Sequence, residues 1–600
     1  GKAGSLSEFK GSKLLVVAFT NTTCPLAKKY APTLQRLEKD FAAKGVSFLF
    51  VNPTATDTPD AKTFAGRQVH DKDGTLTAAF GATSTTEVIV LDAARTVQYR
   101  GAINDQYGLG YATDAPRSNY LATALNDLLA GKRPAIQATT APGCELTPDP
   151  KKTPQIPLTY HARVERIVQA NCVECHHKGG VGPFALDTYD TLVANKGMVR
   201  KVVDKGIMPP WFAAPPKKGE HSPFSNDRTL TESDKKDLLA WLAGDLKKGD
   251  EKDAPLPRTF VEGWGLGKPD AVFEMQKAID VKAEGTMPYQ NVVIPTNFDE
   301  DKWIQGLEVV PGARDVVHHV LVFAVPKGQT RAGNEAQGFF AAYVPGSTAL
   351  VYPEGYAKKL PKGSNLVFQL HYTPNGKATA DKTKLGLVFA KDKPRFEVQV
   401  VGLFNPAFTI PPGADNHRVG SFIYDVPADA HILALFPHAH LRGKAAQYRV
   451  IKGDEKKTVL DVPHYDFNWQ LQYRFAEPVA VKAGDALSYL AWYDNSTKNP
   501  ANPDPKQSVR WGLQTYEEMH LGYVEFAAPL GTNMMPATLN LKMPANFKFP
   551  KEPVEIPDVI KGRFKGMDAN GDGKLDEKEY NALPDLIKPI VARYIQTLEP

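Results

Sequence analysis

Three sets of residues have the types and spacing of metal or cofactor ligands. In Cys172-Val-Glu-Cys175-His176, two thiols bracket two residues and an imidazole follows at once. Thiols at this spacing can add to the two vinyl groups of a haem, and the adjoining imidazole can then ligate the iron. A disulfide or half a zinc site would also use the cysteines, but zinc needs further ligands and no other cysteine lies nearby. The second set is His318-His319, His371, His438-Ala-His440 and Met519. Alternate residues of a strand share a face, so His438 and His440 can share one metal. Adjacent His318 and His319 can do so only at a bulge or a strand end. Imidazoles with a thioether suit copper, whose reduced state accepts soft sulfur. The third set lies between Asp568 and Glu579 and fits the twelve-residue EF-hand calcium loop. Asp568, Asn570, Asp572, Asp576 and Glu579 supply oxygens at positions 1, 3, 5, 9 and 12, the Lys574 carbonyl falls at 7, and Gly573 makes the turn. A single loop reads as a structural clip rather than a calcium sensor.

The elements that must carry these residues change character along the chain. Residues 1–145 read as α/β. Leu14–Phe19 is an unbroken apolar run, as a strand covered on both faces requires. A helix over 26–43, strands over 46–51, 87–91 and 96–100, and a helix over 119–129 follow. This alternation predicts a mostly parallel sheet. Residues 146–157 hold four prolines and read as a linker. From 160 to about 246 the pattern is helical, with one helix running into Cys172 and another starting at Thr231-Glu232-Ser233-Asp234. From about 260 to 550, apolar runs such as 316–325, Asn365–Tyr372, 396–403 and 431–436 alternate with Pro and Gly turns, which predicts antiparallel sandwiches. The last fifty or so residues return to helix around the acidic loop.

Composition narrows the function classes. Hydrophobic residues at 42% and charged residues at 23% exclude wholesale disorder. With 47 glycines and 48 prolines, the chain favours turn-rich β structure over helical arrays. A net charge of +5 with no basic stripe points away from nucleic acid. No apolar run reaches the roughly 18 residues of a membrane helix. The chain begins without Met, as a chain does after removal of a leader. Four cysteines exclude a disulfide-built scaffold.

Resemblances sharpen this reading. Val316-Val-His-His-Val-Leu-Val-Phe, Gln369-Leu-His-Tyr, Pro437-His-Ala-His-Leu-Arg-Gly-Lys and Tyr516-Glu-Glu-Met resemble the copper type II, ascorbate-dependent monooxygenases. That family includes peptidylglycine α-hydroxylating monooxygenase and dopamine β-monooxygenase. The resemblance covers roughly 265–550 and fills all six ligand positions. It implies two jelly-roll sandwiches, over 265–400 and 401–552, with one copper on each. His318, His319 and His371 would hold an electron-transfer copper. His438, His440 and Met519 would hold the copper that meets oxygen, with Tyr523 contacting substrate. Two departures matter: no cysteine lies beyond 175, and Phe436 stands where peptidylglycine enzymes carry a carboxylate-binding arginine. They imply a more apolar or aromatic substrate than a peptide.

Residues 1–145 resemble a thioredoxin-like redoxin, with Asn21-Thr-Thr-Cys-Pro-Leu-Ala as the active-site loop. Ala27 replaces the second cysteine, and Thr85-Thr86-Glu87 stands where Thr-Pro-Glu is expected. Both losses argue for a redox-inactive domain kept for packing or docking. Cys144 could pair with Cys24 in an oxidising compartment; otherwise both are free thiols. Residues 155–250 resemble a small all-α cytochrome c. Met208, in Gly-Ile-Met-Pro-Pro-Trp, matches its sixth ligand, with Met198 as the alternative. Residues 556–600 form the EF-hand segment.

The combination predicts a periplasmic or secreted monooxygenase with haem c, two copper ions and Ca2+. It would hydroxylate a C–H bond of a small organic substrate with O2, taking electrons from an external donor through its own haem. Two other classes remain open: a non-catalytic redox relay or assembly protein, and a thiol–disulfide oxidoreductase led by Cys24.

Overall fold

The computed structural model describes residues 6–57, 64–108, 111–149, 151, 156–217, 220–258, 260, 263–330, 338–347, 349–421, 423–453, 455–534, 543, 547–555, 568–585 and 587–598. The chain forms two compact units. One comprises 1–180, 184–209 and 230–260; the other comprises 181–183, 210–229 and 261–600.

In the first unit, five strands lie in the order Arg67–His70, Val46–Asn52, Leu14–Phe19, Val88–Asp92, Val97–Gly101. The first three run parallel and the last two pair antiparallel, so the sheet is mixed rather than mostly parallel. The turn 93–96 is too short for the crossover a parallel pair needs, which makes Val97–Gly101 antiparallel to Val88–Asp92, and Val88–Asp92 is itself antiparallel to Leu14–Phe19. Leu14, Val16 and Ala18 face one core with Tyr30 and Leu34, while Leu15, Val17 and Phe19 face another with Ile89 and Ala82. The half-buried strand Arg67–His70 was not foreseen, because Arg-Gln-Val-His has no apolar alternation. The helical part packs Glu165–Asn171, Tyr189–Ala194, Lys196–Asp204 and Glu232–Ala243 around Val164, Val168, Leu192, Val199, Leu238 and Trp241. Thr231 caps the last helix through the Asp234 N–H. No helix among the described residues is long and apolar enough to cross a membrane.

The second unit corrects one boundary. Residues 210–229, expected inside the helical domain 155–250, belong to the β-rich unit. Ala214 N–H donates to Asp461 O at 2.7 Å and Ser225 N–H to Arg474 O at 2.8 Å, and Trp211 packs edge-on against Tyr473.

Among the described residues, three larger sheets build most of this unit. A four-stranded sheet runs Gln290–Pro295, Asn365–Tyr372, Val317–Val325, Ala341–Tyr343. A five-stranded sheet is centred on Ala486–Tyr493 and Gly443–Lys452. Between them a nine-stranded sheet crosses the expected boundary at 400: Phe396–Phe404 pairs with Leu521–Pro529 on one side and with Tyr356–Leu360 on the other. The two halves are therefore joined edge to edge, and separate cores lie between this sheet and each smaller one. A buried ion network sits at the join. Lys358 Nζ lies 3.3 Å from Glu525 Oε1, Arg474 approaches Glu525 Oε2 at 3.3 Å, and the Tyr352 hydroxyl donates to Glu525 Oε1 at 2.7 Å. Lys358→Met should lower unfolding stability by roughly 3–5 kcal/mol, because it leaves the Glu525 charge buried with less compensation. Urea denaturation of the two proteins measures this, and equal midpoints would contradict it.

Candidate functional site

The strand pairing explains how adjacent histidines come to act together. Val317–Val325 pairs antiparallel with Asn365–Tyr372, and His319 stands directly opposite His371. The register shifts between Val317 and His319, so His318 is the extra residue of a bulge. The bulge brings His318 Nδ1 to 3.1 Å from His319 Nδ1, and ligand atoms of His318, His319 and His371 all lie within 4.8 Å of one another. His318 Nε2 and His371 Nδ1 are buried without a hydrogen-bond partner. Burial, and then neighbouring imidazoles, lower His318 to about 3 and His371 to about 4. The rings are thus neutral near pH 7, with lone pairs free for a metal.

The second histidine pair departs from the strand picture. His438 ends strand Ala430–His438, but His440 lies beyond it, in the turn before Gly443–Lys452. Alternation along one strand therefore does not place His440. Glu518 does: its carboxylate accepts the N–H groups of His440, Arg442 at 3.0 Å and Met519 at 2.9 Å. One buried side chain thus ties the His438–His440 turn to the segment carrying Met519. Burial pushes Glu518 up to about 7, against the lowering effect of these N–H groups and Arg442. The His438 and His440 rings are 5.4 Å apart, and both ligands and Met519 are buried. His438 Nδ1 is 2.7 Å from Gln470 Oε1, which as an acceptor fixes the proton on Nδ1 and leaves Nε2 free. His440 Nε2 is buried without a partner. Burial lowers His438 to about 4 and, with the His438 ring, His440 to about 3.

The two sets adjoin. The His319 and His438 rings are 6.4 Å apart, and Phe467 stacks on His318 at 4.7 Å while lying 6.4 Å from His440. Tyr289 stacks on His371 at 4.9 Å. Glu518, Gln470, Phe467 and Tyr289 escaped the sequence reading. Only Glu518 had a local signal, its place beside Met519. Tyr523 is buried opposite Phe436 in the strand register, and Phe339 contacts both rings. Phe436 lies two residues before His438 on its strand, and Tyr523 lies four residues after Met519 on strand Leu521–Pro529.

Elsewhere, His176 Nδ1 lies 2.9 Å from Phe184 O, which leaves Nε2 for a metal. Cys172 is partly buried against the helical core, and Cys175 is half-buried. Burial, with Cys175, pushes the Cys172 thiol up to about 12. Met208 is half-buried just beyond Lys196–Asp204, whereas Met198 is 54% exposed on that helix. His177 stacks on Phe260 with ring centroids 3.7 Å apart.

In the acidic loop, Gly573 takes φ +77° and its N–H donates to Asp568 Oδ2 at 2.8 Å. Glu579 folds back to accept the N–H groups of Ala569 at 2.8 Å and Asp576 at 3.0 Å. Asp572 Oδ1 accepts the Lys574 N–H at 2.8 Å, and Asn570 Oδ1 the Asp572 N–H at 2.9 Å. Asp568 Oδ1 is buried without a partner. Residues 556–567, which lead into the loop, lie outside the described residues.

Comparison with known proteins agrees with this geometry. Residues 398–543 match the copper type II ascorbate-dependent monooxygenase C-terminal domain, and residues 1–110 match the redoxin family. The chain is 27% identical over 269 residues to DBH-like monooxygenase protein 1 of Mus musculus, covering 38% of this chain and 42% of that protein. It is 28% identical over 159 residues to the human protein of the same name, covering 24% of this chain and 25% of that one. The chain thus spans less than half the length of these relatives. A hypothetical protein from Sinorhizobium meliloti is similar at 24% identity over 24% of this chain and 84% of that one, with a TM-score of 0.22. The β-rich part is similar to copper monooxygenases. That likeness implies copper, and the N-terminal part is thioredoxin-like.

Proposed function

We propose that the protein is a copper-dependent monooxygenase that hydroxylates a C–H bond of a small organic substrate with O2, drawing electrons from an external donor through haem c on the same chain. The observation that supports this most is the cluster of five imidazoles, four buried and His318 half-buried, with the His319 and His438 rings 6.4 Å apart. Copper at His318, His319 and His371 would supply one-electron transfer, and copper at His438, His440 and Met519 would supply oxygen activation. The surrounding residues prepare these sites. Burial holds the imidazoles neutral, Gln470 selects the His438 tautomer, and Glu518 fixes the spacing of His440 and Met519. Phe339, Phe436 and Tyr523 form an apolar aromatic cluster whose nearby cation, Lys358 at 5.8 Å from the Phe339 ring, is already paired with Glu525, which suits an apolar or aromatic substrate and excludes water.

Cys172, Cys175 and His176 would hold haem c, with Met208 as the sixth ligand, and the haem would supply reversible one-electron transfer. The carbonyl of Phe184 orients His176 for that role. Thioether-bound haem, a copper thioether site and an EF-hand together fit a periplasmic or secreted setting. Label from 18O2, appearing in a hydroxylated product with copper-loaded protein and ascorbate, tests the reaction. Oxygen consumption that yields only hydrogen peroxide across a range of alkylaromatic probes would contradict it.

Asp568, Asn570, Asp572, Asp576, Glu579 and the Lys574 carbonyl would hold Ca2+ as a clip for the C-terminal segment. That segment docks on the β-rich unit through helix Lys588–Leu598, whose Arg593 pairs with Asp425 at 2.8 Å. Glu579→Gln should weaken calcium binding at least about tenfold, since position 12 supplies the bidentate carboxylate. It should also abolish the rise in Tm that calcium gives the parent protein, with the haem spectrum unchanged. Equal melting of the parent protein in calcium and in chelator would contradict the clip.

A further inference from the structure

Outside these sites, the first unit brings together two nucleophilic side chains that lie far apart in sequence. Cys24 stands at the N-terminus of helix Pro25–Ala42, its N–H held by Asn21 Oδ1 at 2.9 Å, and its side chain is 2% exposed. Residues 142–146 return across the loop 83–86 as a short antiparallel bridge. Thr85 N–H donates to Cys144 O at 3.1 Å and Leu146 N–H to Thr83 O at 2.9 Å, while Cys144 N–H donates to Thr85 Oγ1 at 3.0 Å. Gly143 permits this approach, since a Cβ there would lie 2.4 Å from Ser84 Oγ. This brings the Cys144 and Thr85 side chains beside the Cys24 sulfur, within reach of each other's electrostatics. Cys144 itself is exposed. Ala27 breaks the usual C-x-x-C, so Cys144 stands in for the missing partner.

We propose that Cys24 and Cys144 form a reversible dithiol–disulfide couple that exchanges with external thiols and disulfides, a function separate from the copper chemistry. Starting from the disulfide, an external thiolate attacks the exposed Cys144 sulfur. The bond to Cys24 breaks, and its electron pair leaves on the Cys24 sulfur. A second external thiolate then attacks the mixed disulfide, releasing Cys144, which takes up a proton, and an external disulfide. The reverse sequence, with an external disulfide as oxidant, restores the bond. The surroundings set the direction. Burial raises the Cys24 thiol, but hydrogen bonds from Thr85, the Ala27 N–H and Cys144 outweigh it and hold it at about 7. A stabilised thiolate is a good leaving group and favours the reduced form, which makes the couple oxidising towards partner dithiols. A cavity of about 320 Å³, lined by Asn21, Thr22, Ala27, Lys28, Phe50 and Phe64, adjoins this turn and gives a partner chain room to dock.

The test equilibrates full-length holoprotein anaerobically in glutathione buffers of graded oxidised-to-reduced ratio, then quenches with acid, alkylates and maps peptides. A linked Cys24–Cys144 peptide should appear in one transition, and it should be absent from Cys144→Ser. Thr85→Val removes a donor to the thiolate and should make reduction by glutathione about tenfold less favourable or more. Cys24 and Cys144 alkylated separately at every ratio, or a Thr85→Val midpoint equal to that of the parent protein, would overturn the proposal.

Discussion

Met519→His is expected to retain two coppers per chain while product formation falls on the order of 100-fold or more. The thioether would be the soft ligand in a set otherwise made of imidazoles, and a thioether favours reduced copper. A third imidazole still binds the metal but stabilises its oxidised state, so the site accepts electrons without passing them productively to oxygen. Met519 is buried, so histidine at this position inherits the same water-excluded surroundings. Copper content by elemental analysis and turnover under 18O2 check the two halves of the prediction separately. Unchanged turnover would remove Met519 from the site, and lost copper would show that sulfur is needed for retention rather than for reactivity.

Glu518→Ala is expected to lose one copper per chain and lower stability by roughly 3–9 kcal/mol. Its carboxylate accepts three backbone N–H groups, from His440, Arg442 and Met519, and each buried donor left without a partner costs about 1–3 kcal/mol. Without it, the turn after His438 keeps only weaker ties to the segment of Met519, such as Arg442 to Tyr516 O at 2.9 Å and His440 Nδ1 to Glu517 O at 3.4 Å. The set at His318, His319 and His371 is held by strand pairing and a bulge, so its copper should remain. Glu518→Gln keeps one acceptor oxygen and should fall between the two. Chemical denaturation and copper titration check this. Full occupancy of two coppers in Glu518→Ala would show that the strand framework alone positions His440 and Met519.

Much of this was legible because the informative residues are chemically rare and their spacing is strict. The need for a bulge at His318-His319 followed from period-two alternation alone, and the register shift lies at that point. The strand carrying His371 was legible to the residue, since Asn365–Tyr372 is an apolar run between turns. The same alternation misplaced His440, because a side-chain carboxylate brought in from residue 518 decides that turn. Tertiary partners of this kind, such as Gln470 on His438 and Phe467 on His318, come from the loop 463–472, whose sequence has no period to read. The mixed sheet at the N-terminus was missed because a short turn overrides the α/β rhythm. The Cys24–Cys144 pairing could be named only as one of two alternatives, because few cysteines leave few partners but a long loop return has no sequence signature to show that the two meet.

The central claim is that one chain carries both a copper monooxygenase site and the haem that feeds it. A fused donor acts at high effective concentration, so transfer need not wait for a diffusing partner. The direct measurement is to reduce the haem anaerobically, load the histidine sites with Cu(II) and follow the haem absorbance. First-order haem oxidation at a rate independent of protein concentration, abolished in His318→Ala, is the predicted result. No haem oxidation, or a rate proportional to protein concentration, would contradict it.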